Sequence, residues 1–275
     1  MTAREKLKLR LNELNHTVKK SLGQNFLVAD HVIEKIITQA QLVSSGGLVE
    51  VGPGLGALTD TLKKIDPQLQ VIEFDHGLAD YWRGQNLEVI EDDALRIDWT
   101  KITKKSLISN LPYQIAASLV VELSVTETQL ENMVLMFQKE VAQRIKSEGD
   151  DDHYGFLSVM AQQFWDVQKL CDAGPQDFSP PPKIASRVLT FKRKSNPAIV
   201  DRMDFLKFVK NMFQNRRRQI RSILKTFMTE EQVSASMNYF EQNKKLPTLR
   251  TEELKPKEIQ EFYLFFKSLK SGVKA

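Results

Sequence analysis

The spacing of apolar positions divides the chain into two regimes that meet near Ser195-Asn196-Pro197. In the first, short apolar runs of strand length alternate with helical spacings. The runs are Leu48 to Val51, Leu69 to Glu73, Leu87 to Ile90, Ser106 to Ile108, Met133 to Phe137, Val167 to Cys171 and Val188 to Phe191, the last expected to close the sheet. Between them, Ile33, Ile36, Ile37 and Ala40 recur at helical spacing behind a candidate cap at Asp30. Leu58, Leu62 and Ile65 repeat that spacing, as do Ile115, Leu119, Val120 and Leu123, and further helices are expected from Glu140 and over Phe156 to Phe164. Strands alternating with helices predict an α/β sheet flanked by helices. In the second regime the period stays at 3.6 residues: Phe205, Val209, Met212 and Phe213, then Ile220, Ile223, Leu224 and Phe227, then Ile259, Phe262, Phe266 and Leu269. Thr229 to Gln232 reads as a capping box. The predicted organisation is an α/β domain over 1–195 and a small all-α domain over 196–275. Residues 1–22 read as a mobile basic arm, since the first twenty hold six basic and two acidic residues and show no apolar period after Leu14.

Charge sharpens this division. Residues 1–195 carry 23 Lys and Arg against 26 Asp and Glu, whereas residues 196–275 carry 16 against 9, so the helical part is +7 and the rest −3. A basic domain suggests a polyanionic partner, although a lysine-rich solvated surface gives the same count. The Arg216-Arg217-Arg218-Gln219-Ile220-Arg221 segment concentrates that charge. If it is helical, Arg217 and Arg221 share one face, with Arg218 near them. The single cysteine, Cys171, excludes an intramolecular disulfide and a Cys-based metal site and points to a reducing, cytoplasmic compartment. No apolar run reaches membrane-spanning length, and the first residues lack a signal-peptide core. The four histidines are scattered and no metal-ligand spacing is present.

Candidate chemistry gathers at the ends of the predicted strands. Leu48 to Val51 runs into Gly52-Pro53-Gly54-Leu55-Gly56 and then a helix, the context in which glycines let the backbone approach a ligand. Glu50, inside that strand, would repel pyrophosphate and suit an ammonium group, which points to an adenosine cofactor bearing an amino acid. Glu73 ends the next strand about twenty residues after the first glycine, where such folds bind ribose hydroxyls. Asp93 follows the third strand and could accept from an adenine amino group. After the fourth comes Asn110-Leu111-Pro112-Tyr113. Pro112 pins its own φ and pushes Leu111 toward an extended backbone, so the Leu111 carbonyl and the Asn110 carboxamide oxygen are two placed acceptors. Tyr113 adds a face on which a nucleobase can stack. Two acceptors beside a stacking ring suit the exocyclic amine of a planar base. Phe178, ahead of the rigid Ser179-Pro180-Pro181-Pro182-Lys183 loop, could be a second stacking ring.

These stretches together resemble the ribosomal RNA adenine dimethyltransferase family over nearly the whole chain. The resemblance is carried by Ser21-Leu22-Gly23-Gln24-Asn25-Phe26-Leu27, Glu50 to Gly56, Val71 to Asp75, Asp93-Ala94-Leu95, Asn110 to Tyr113, Gln138 to Val141, Phe178 to Lys183 and Asn215 to Arg221. It implies a class I S-adenosylmethionine-dependent methyltransferase fold, Rossmann-like with a seven-stranded sheet, joined to a helical RNA-binding domain. It implies S-adenosylmethionine as cofactor, with Asn25, Leu27, Gly52, Gly54, Glu73, Asp93, Ala94 and Asn110 as its contacts. Asn110, Leu111, Tyr113 and Phe178 are then the residues around the target base, and Arg216, Arg217, Arg218 and Arg221 the RNA contacts. The implied substrate is a pair of adjacent adenosines near the 3′ end of small-subunit ribosomal RNA, each methylated twice, on the RNA or a pre-ribosomal particle, by a monomer with no membrane partner. Two positions depart from the family: Ala185 stands where it usually carries Asp, and Phe74-Asp75-His76 replaces the commoner aliphatic-Asp-Arg.

Three alternatives share part of the pattern. One is a large-subunit ribosomal RNA methyltransferase of the macrolide-resistance type, against which the arginine cluster and the Phe178 loop weigh. Another is a non-catalytic RNA-binding assembly factor, for which a placed amine acceptor is unneeded. The third, a small-molecule methyltransferase, does not need the basic helical domain.

Overall fold

Strands buried on both faces form the centre of the first unit. The computed structural model describes residues 1–14, 25–194, 198–215 and 217–271. In chain order the elements of the first unit begin with α1 (Ala3–Glu13), β1 (Phe26–Leu27), α2 (Asp30–Leu42), β2 (Leu48–Val51), α3 (Thr59–Ile65), β3 (Gln70–Glu73), α4 (His76–Gly84) and β4 (Glu88–Glu91). They continue with β5 (Ser106–Ser109), α5 (Tyr113–Val125) and β6 (Asn132–Gln138); after α6 (Lys139–Lys146), and α7 (Phe156–Phe164) of the second unit, come β7 (Trp165–Ala173), β8 (Phe178–Ser179) and β9 (Ser186–Arg193). The main sheet has seven strands in the order β4-β3-β2-β5-β6-β9-β7. β2 is parallel to both β3 and β5, β4 to β3 and β6 to β5, whereas β9 is antiparallel to β6. All four residues of β2, β3 and β5 are buried, as helices on both faces of a parallel sheet require.

The chain lays down β3 and β4 on one side of β2 and then returns to place β5 and β6 on the other. Between β2 and β5, therefore, the strand order reverses. In open α/β sheets the crevice at such a reversal, outside the carboxyl ends of the strands, is where ligands bind.

Three local expectations are corrected. Val188 to Phe191 does not close the sheet, because β9 pairs with β6 and leaves β7 at the edge. The expected mobile arm is instead helical at its start: Ala3–Glu13 is a helix with a capping box between Thr2 and Glu5, and Leu7 packs with Phe26, Val28, Leu55 and Leu78. Residues 15–22 of the arm, the Ser21-Leu22-Gly23-Gln24 stretch up to Gln24, and Ser195-Asn196-Pro197 lie outside the described residues. Asp30 does not cap its own helix; Ala29 holds the N-cap position, and Asp30 Oδ1 accepts from the Ala3 N–H at 3.0 Å.

The second unit comprises 143–165 together with 194–275. It takes in the segment from Gln143 to Trp165 as well as the later part of the chain. Its other helices are α8 (Arg202–Phe213), α9 (Ile220–Leu224), α10 (Glu230–Gln242) and α11 (Pro256–Ser271). Their apolar stripes meet in an aromatic core: Phe208 stacks on Phe266 at 5.5 Å, and Phe240 lies 4.5 Å from Phe262. Thr229 and Gln232 form the expected capping box. Among the described residues no helix is long and apolar enough to cross a membrane.

Phe178 is 1% exposed and belongs to the core of the first unit with Leu27, Val134, Met136 and Val188. Phe178→Ala should therefore cost about 3–5 kcal/mol of stability in denaturant unfolding. Phe178→Leu should recover most of both stability and activity, which a base-stacking ring would not.

Candidate active site

The turn after β2 owes its path to glycine. Gly52, Gly54 and Gly56 have φ of +65°, +52° and +83°, a region costly for any residue with a Cβ. The turn is fixed from both ends. The Gly52 N–H donates to the Ile72 carbonyl at 2.8 Å, and Glu73 Oε2 accepts from the Gly54 N–H at 3.4 Å. Trp82 Nε1 donates to the Gly54 carbonyl at 3.0 Å. Arg10 reaches across from α1, with Nη1 donating to the Leu55 carbonyl at 2.6 Å and Nη2 pairing with Asp60 at 3.1 Å. A Cβ on Gly56 would stand 2.1 Å from Arg10 Nη1, so that glycine also makes room for the guanidinium.

The neighbouring strand ends add the acids. Glu73 Oε1 accepts from the Asp75 N–H at 2.9 Å, and Asp75 in turn caps α4. Asp93 Oδ1 accepts from the Leu95 N–H at 2.9 Å, and Oδ2 lies 3.9 Å from Arg96 Nε. Ala94 is buried, its carbonyl taking the Trp99 indole N–H at 2.8 Å.

Across the strand reversal, Ser109 Oγ donates to the Val51 carbonyl at 2.5 Å and ties β5 to β2 at their ends. Asn110 follows. Its Nδ2 donates to the Asn25 carbonyl at 3.3 Å, which turns Oδ1 away from that contact, and among the described residues Oδ1 has no partner. Leu111 buries its side chain, Pro112 precedes the first turn of α5 with φ −56°, and Tyr113 opens the helix. The Tyr113 hydroxyl lies 2.6 Å from Ser186 Oγ.

Asn25, Leu27, Gly52, Gly54, Glu73, Asp93, Ala94, Asn110, Leu111 and Tyr113 all line one cavity of about 710 Å³, as does Glu50. That volume suits a small organic molecule with room beside it. Phe178 does not line it: its ring is buried in the core, and its backbone pairs with Leu27 in the short β1–β8 ladder. The expectation of Phe178 as a second stacking surface is corrected accordingly, since a ring packed on all sides offers no face to a base. Sequence reasoning missed Phe74 and the start of α1. Phe74 is 64% exposed on the cavity wall, and Met1, Thr2, Ala3, Lys6 and Leu7 also line it. Two signals could have revealed α1: the Thr2-x-x-Glu5 capping box, and Leu7, Leu11 and Leu14 at helical spacing.

Glu50 sits on the central strand, opposite Val71 on one side and Ile108 on the other. Its Oε2 is buried and has no hydrogen-bond partner among the described residues. Burial pushes the carboxyl up to about 8; the Thr59 hydroxyl offsets part of this, and the nearby Glu73 and Asp60 carboxylates add to it. Desolvation also raises Glu73, against the backbone N–H groups of Asp75 and Gly54. Two acids whose carboxyls burial raises at a cavity wall mark a place where a ligand's donors complete the structure.

The arginine cluster lies in the second unit. Arg217 and Arg218 are in a turn that precedes α9, and Arg221 is its second residue. The shared helical face is thus corrected: Gln219 is the N-cap, with the Ile220 N–H donating to the Leu249 carbonyl at 2.7 Å, so Arg217 lies outside the helix. All three are exposed, Ile220 and Leu224 point inward as expected, and Arg216 lies outside the described residues.

The strand order, the glycine turn at the reversal and the acids at successive strand ends define a class I S-adenosylmethionine-dependent methyltransferase fold. A dimethyladenosine transferase from Plasmodium falciparum superposes with a TM-score of 0.74 at 24% identity, covering 90% of this chain and 98% of that one. The 23S rRNA methyltransferase ErmE superposes at 0.63 with 22% identity, covering 90% and 100%. In sequence, the chain is 47% identical to a ribosomal RNA small subunit methyltransferase A of Bdellovibrio bacteriovorus over 96% of its length and 98% of the relative's. It is 38% identical to one of Syntrophotalea carbinolica over 77% and 83%. The ribosomal RNA adenine dimethylase model matches residues 15–267, and the chain belongs to that family.

The buried acid makes stability depend on pH. Folding raises Glu50 from 4.5 to about 8, so between those values the native state keeps a proton that the unfolded chain has lost. The contribution is complete below the unfolded value and declines as pH rises toward the folded one. Denaturant unfolding of the free protein across this range should show stability falling with pH, and Glu50→Gln should flatten that slope.

Proposed function

We propose that this chain transfers methyl groups from S-adenosylmethionine to the 6-amino groups of two adjacent adenosines near the 3′ end of 16S ribosomal RNA, each twice, in ribosome biogenesis. The family match and the names of the relatives support this reading over a large-subunit substrate. The observation that carries it is Asn110, anchored through its nitrogen to the Asn25 carbonyl, with its oxygen unpaired among the described residues and, like Tyr113, on the cavity wall. A finer reading, also ours, is that the protein acts as a cytoplasmic monomer on the small subunit or a precursor particle.

The residues present fit the cofactor. The orphaned Glu50 oxygen suits its ammonium group, and Gly52, with no side chain to intervene, allows close backbone approach to its methionine end. Glu73 would accept from ribose hydroxyls and Asp93 from the adenine amine, with Asn25, Leu27, Gly54 and Ala94 shaping the walls between them. When bound, S-adenosylmethionine supplies a methyl group on a positively charged sulfonium. Asn110 Oδ1 and the Leu111 carbonyl accept the two protons of the target amine, which favours its pyramidal, nucleophilic form. The adenosine must leave its stack, at a cost of a few kcal/mol, and the Tyr113 face offsets part of that. What these groups contribute is placement, so no strong base is required. Arg217, Arg218 and Arg221, with Arg216, would bind RNA phosphates and do no chemistry.

The reading is tested by incubating the protein and S-adenosylmethionine with small subunits from cells lacking the modification, followed by mass spectrometry for dimethyladenosine. Its absence would overturn the assignment. Asn110→Ala should slow single-turnover transfer about a hundredfold or more while leaving cofactor affinity within a few-fold. A rate near wild type would make Asn110 structural. Arg217→Ala with Arg221→Ala should weaken binding to ribosomal RNA and reduce the slope of log affinity against log salt by about one per lost contact, with cofactor affinity unchanged. An unchanged slope would make the cluster plain surface.

A further inference from the structure

Tyr113 is held at both ends. Its backbone opens α5, and its hydroxyl, at the far end of the ring, meets Ser186 Oγ at 2.6 Å. Ser186 is fully buried, and it is the first residue of β9. It takes its place from the sheet: it pairs in register with Gln138 of β6, and the carbonyl of the preceding Ala185 accepts from the Lys139 N–H at 2.9 Å. The serine hydroxyl is therefore part of a hydrogen-bonded ladder and does not share the freedom of a loop.

We infer that Ser186 is a positioning residue for methyl transfer, tethering the Tyr113 hydroxyl so that the ring presents one fixed face to the target base. The inference rests on the proposed role of Tyr113 as a stacking surface. A ring pinned only at Cβ can swing about χ1 and turn about χ2, and a stacking platform that moves loses placement. The tether removes that freedom before the base arrives. It also occupies the hydroxyl, whose ionisation burial already disfavours, so the tyrosine contributes a face and not a base. The segment from Phe178 to Ser186 thereby serves the site through its last residue. Phe178 anchors the segment in the core and to Leu27, and Ser186 reaches the Tyr113 hydroxyl.

Three variants test this: Ser186→Ala, Tyr113→Phe and their double mutant. Each single change removes the tether, and each should slow single-turnover methylation of unmodified small subunits by about five- to tenfold, the worth of one hydrogen bond. The double mutant should be no slower than the slower single mutant, since both break one interaction. Cofactor affinity should not change. An RNA fragment with 2-aminopurine at the target position should lose fluorescence quenching in both single mutants. Wild-type rate and quenching in Tyr113→Phe would overturn the tether, as would a lowered melting temperature in Ser186→Ala with an unchanged rate. If Ser186→Ala fails to fold, Tyr113→Phe alone decides, because it deletes only the hydroxyl. Tyr113→Ala separates the two levels: a wild-type rate there removes the stacking role itself, whereas a large loss beside wild-type behaviour of the other variants removes only the tether.

Discussion

The pairing of β2 with β5 is the constraint on which the site depends. The chain visits β3 and β4 before it returns to lay β5 on the open edge of β2, and the register sets Glu50 opposite Ile108. Both strands then end together, and Ser109 Oγ fastens the Val51 carbonyl at the point of divergence. A slip of one residue would invert the faces of β5 and carry Asn110 away from the glycine turn. Because both faces of both strands are buried, such a slip would also expose apolar side chains, so the folding energy of the sheet is what holds the Asn110 carboxamide beside the glycine turn.

That arrangement leaves a debt of solvation at its centre. Glu50 is isolated from water on the middle strand, and one of its oxygens has no donor among the described residues. A buried carboxylate without a partner is unfavourable, so the free protein resolves the conflict by keeping the proton. The Glu73 carboxylate is treated differently: two backbone N–H groups from the glycine turn and the start of α4 already compensate it in part. The same turn therefore organises both acids, one by proximity and one by direct hydrogen bonds, and its conformation favours glycine at three positions.

How much of this was legible in the sequence follows from how local each cause is. The strands, the glycine turn and the acids at the strand tips are written in short-range patterns, and Glu50, Glu73, Asp93 and Asn110 come together as their positions implied. Phe178 misled because an aromatic beside a proline-rich loop looks the same whether it faces solvent, ligand or core; only the ladder with Leu27 decides. Arg217 and Arg221 misled because helical spacing was extended through Gln219, where a tertiary contact with Leu249 starts the helix instead. The order of β9 and β7 was invisible for a similar reason. Antiparallel return to β6 is a choice among edges that no single run encodes.

The basic residues show why charge alone is a weak guide to partners. Arg10 belongs to the same count as Arg217 and Arg221, yet its guanidinium is spent inside the protein. It lies 5.5 Å from the ring centres of both Tyr81 and Trp82, donates to the Leu55 carbonyl and pairs with Asp60, so desolvation of the cation is met on every side. Through that contact α1 becomes a wall of the cavity instead of an arm for phosphates. The three described arginines around α9 make no ion pair among the described residues and keep their charge in solvent. Separating them from Arg10 required knowing what each guanidinium touches, and that is the point at which a statement about net charge becomes one about which cations a partner can reach.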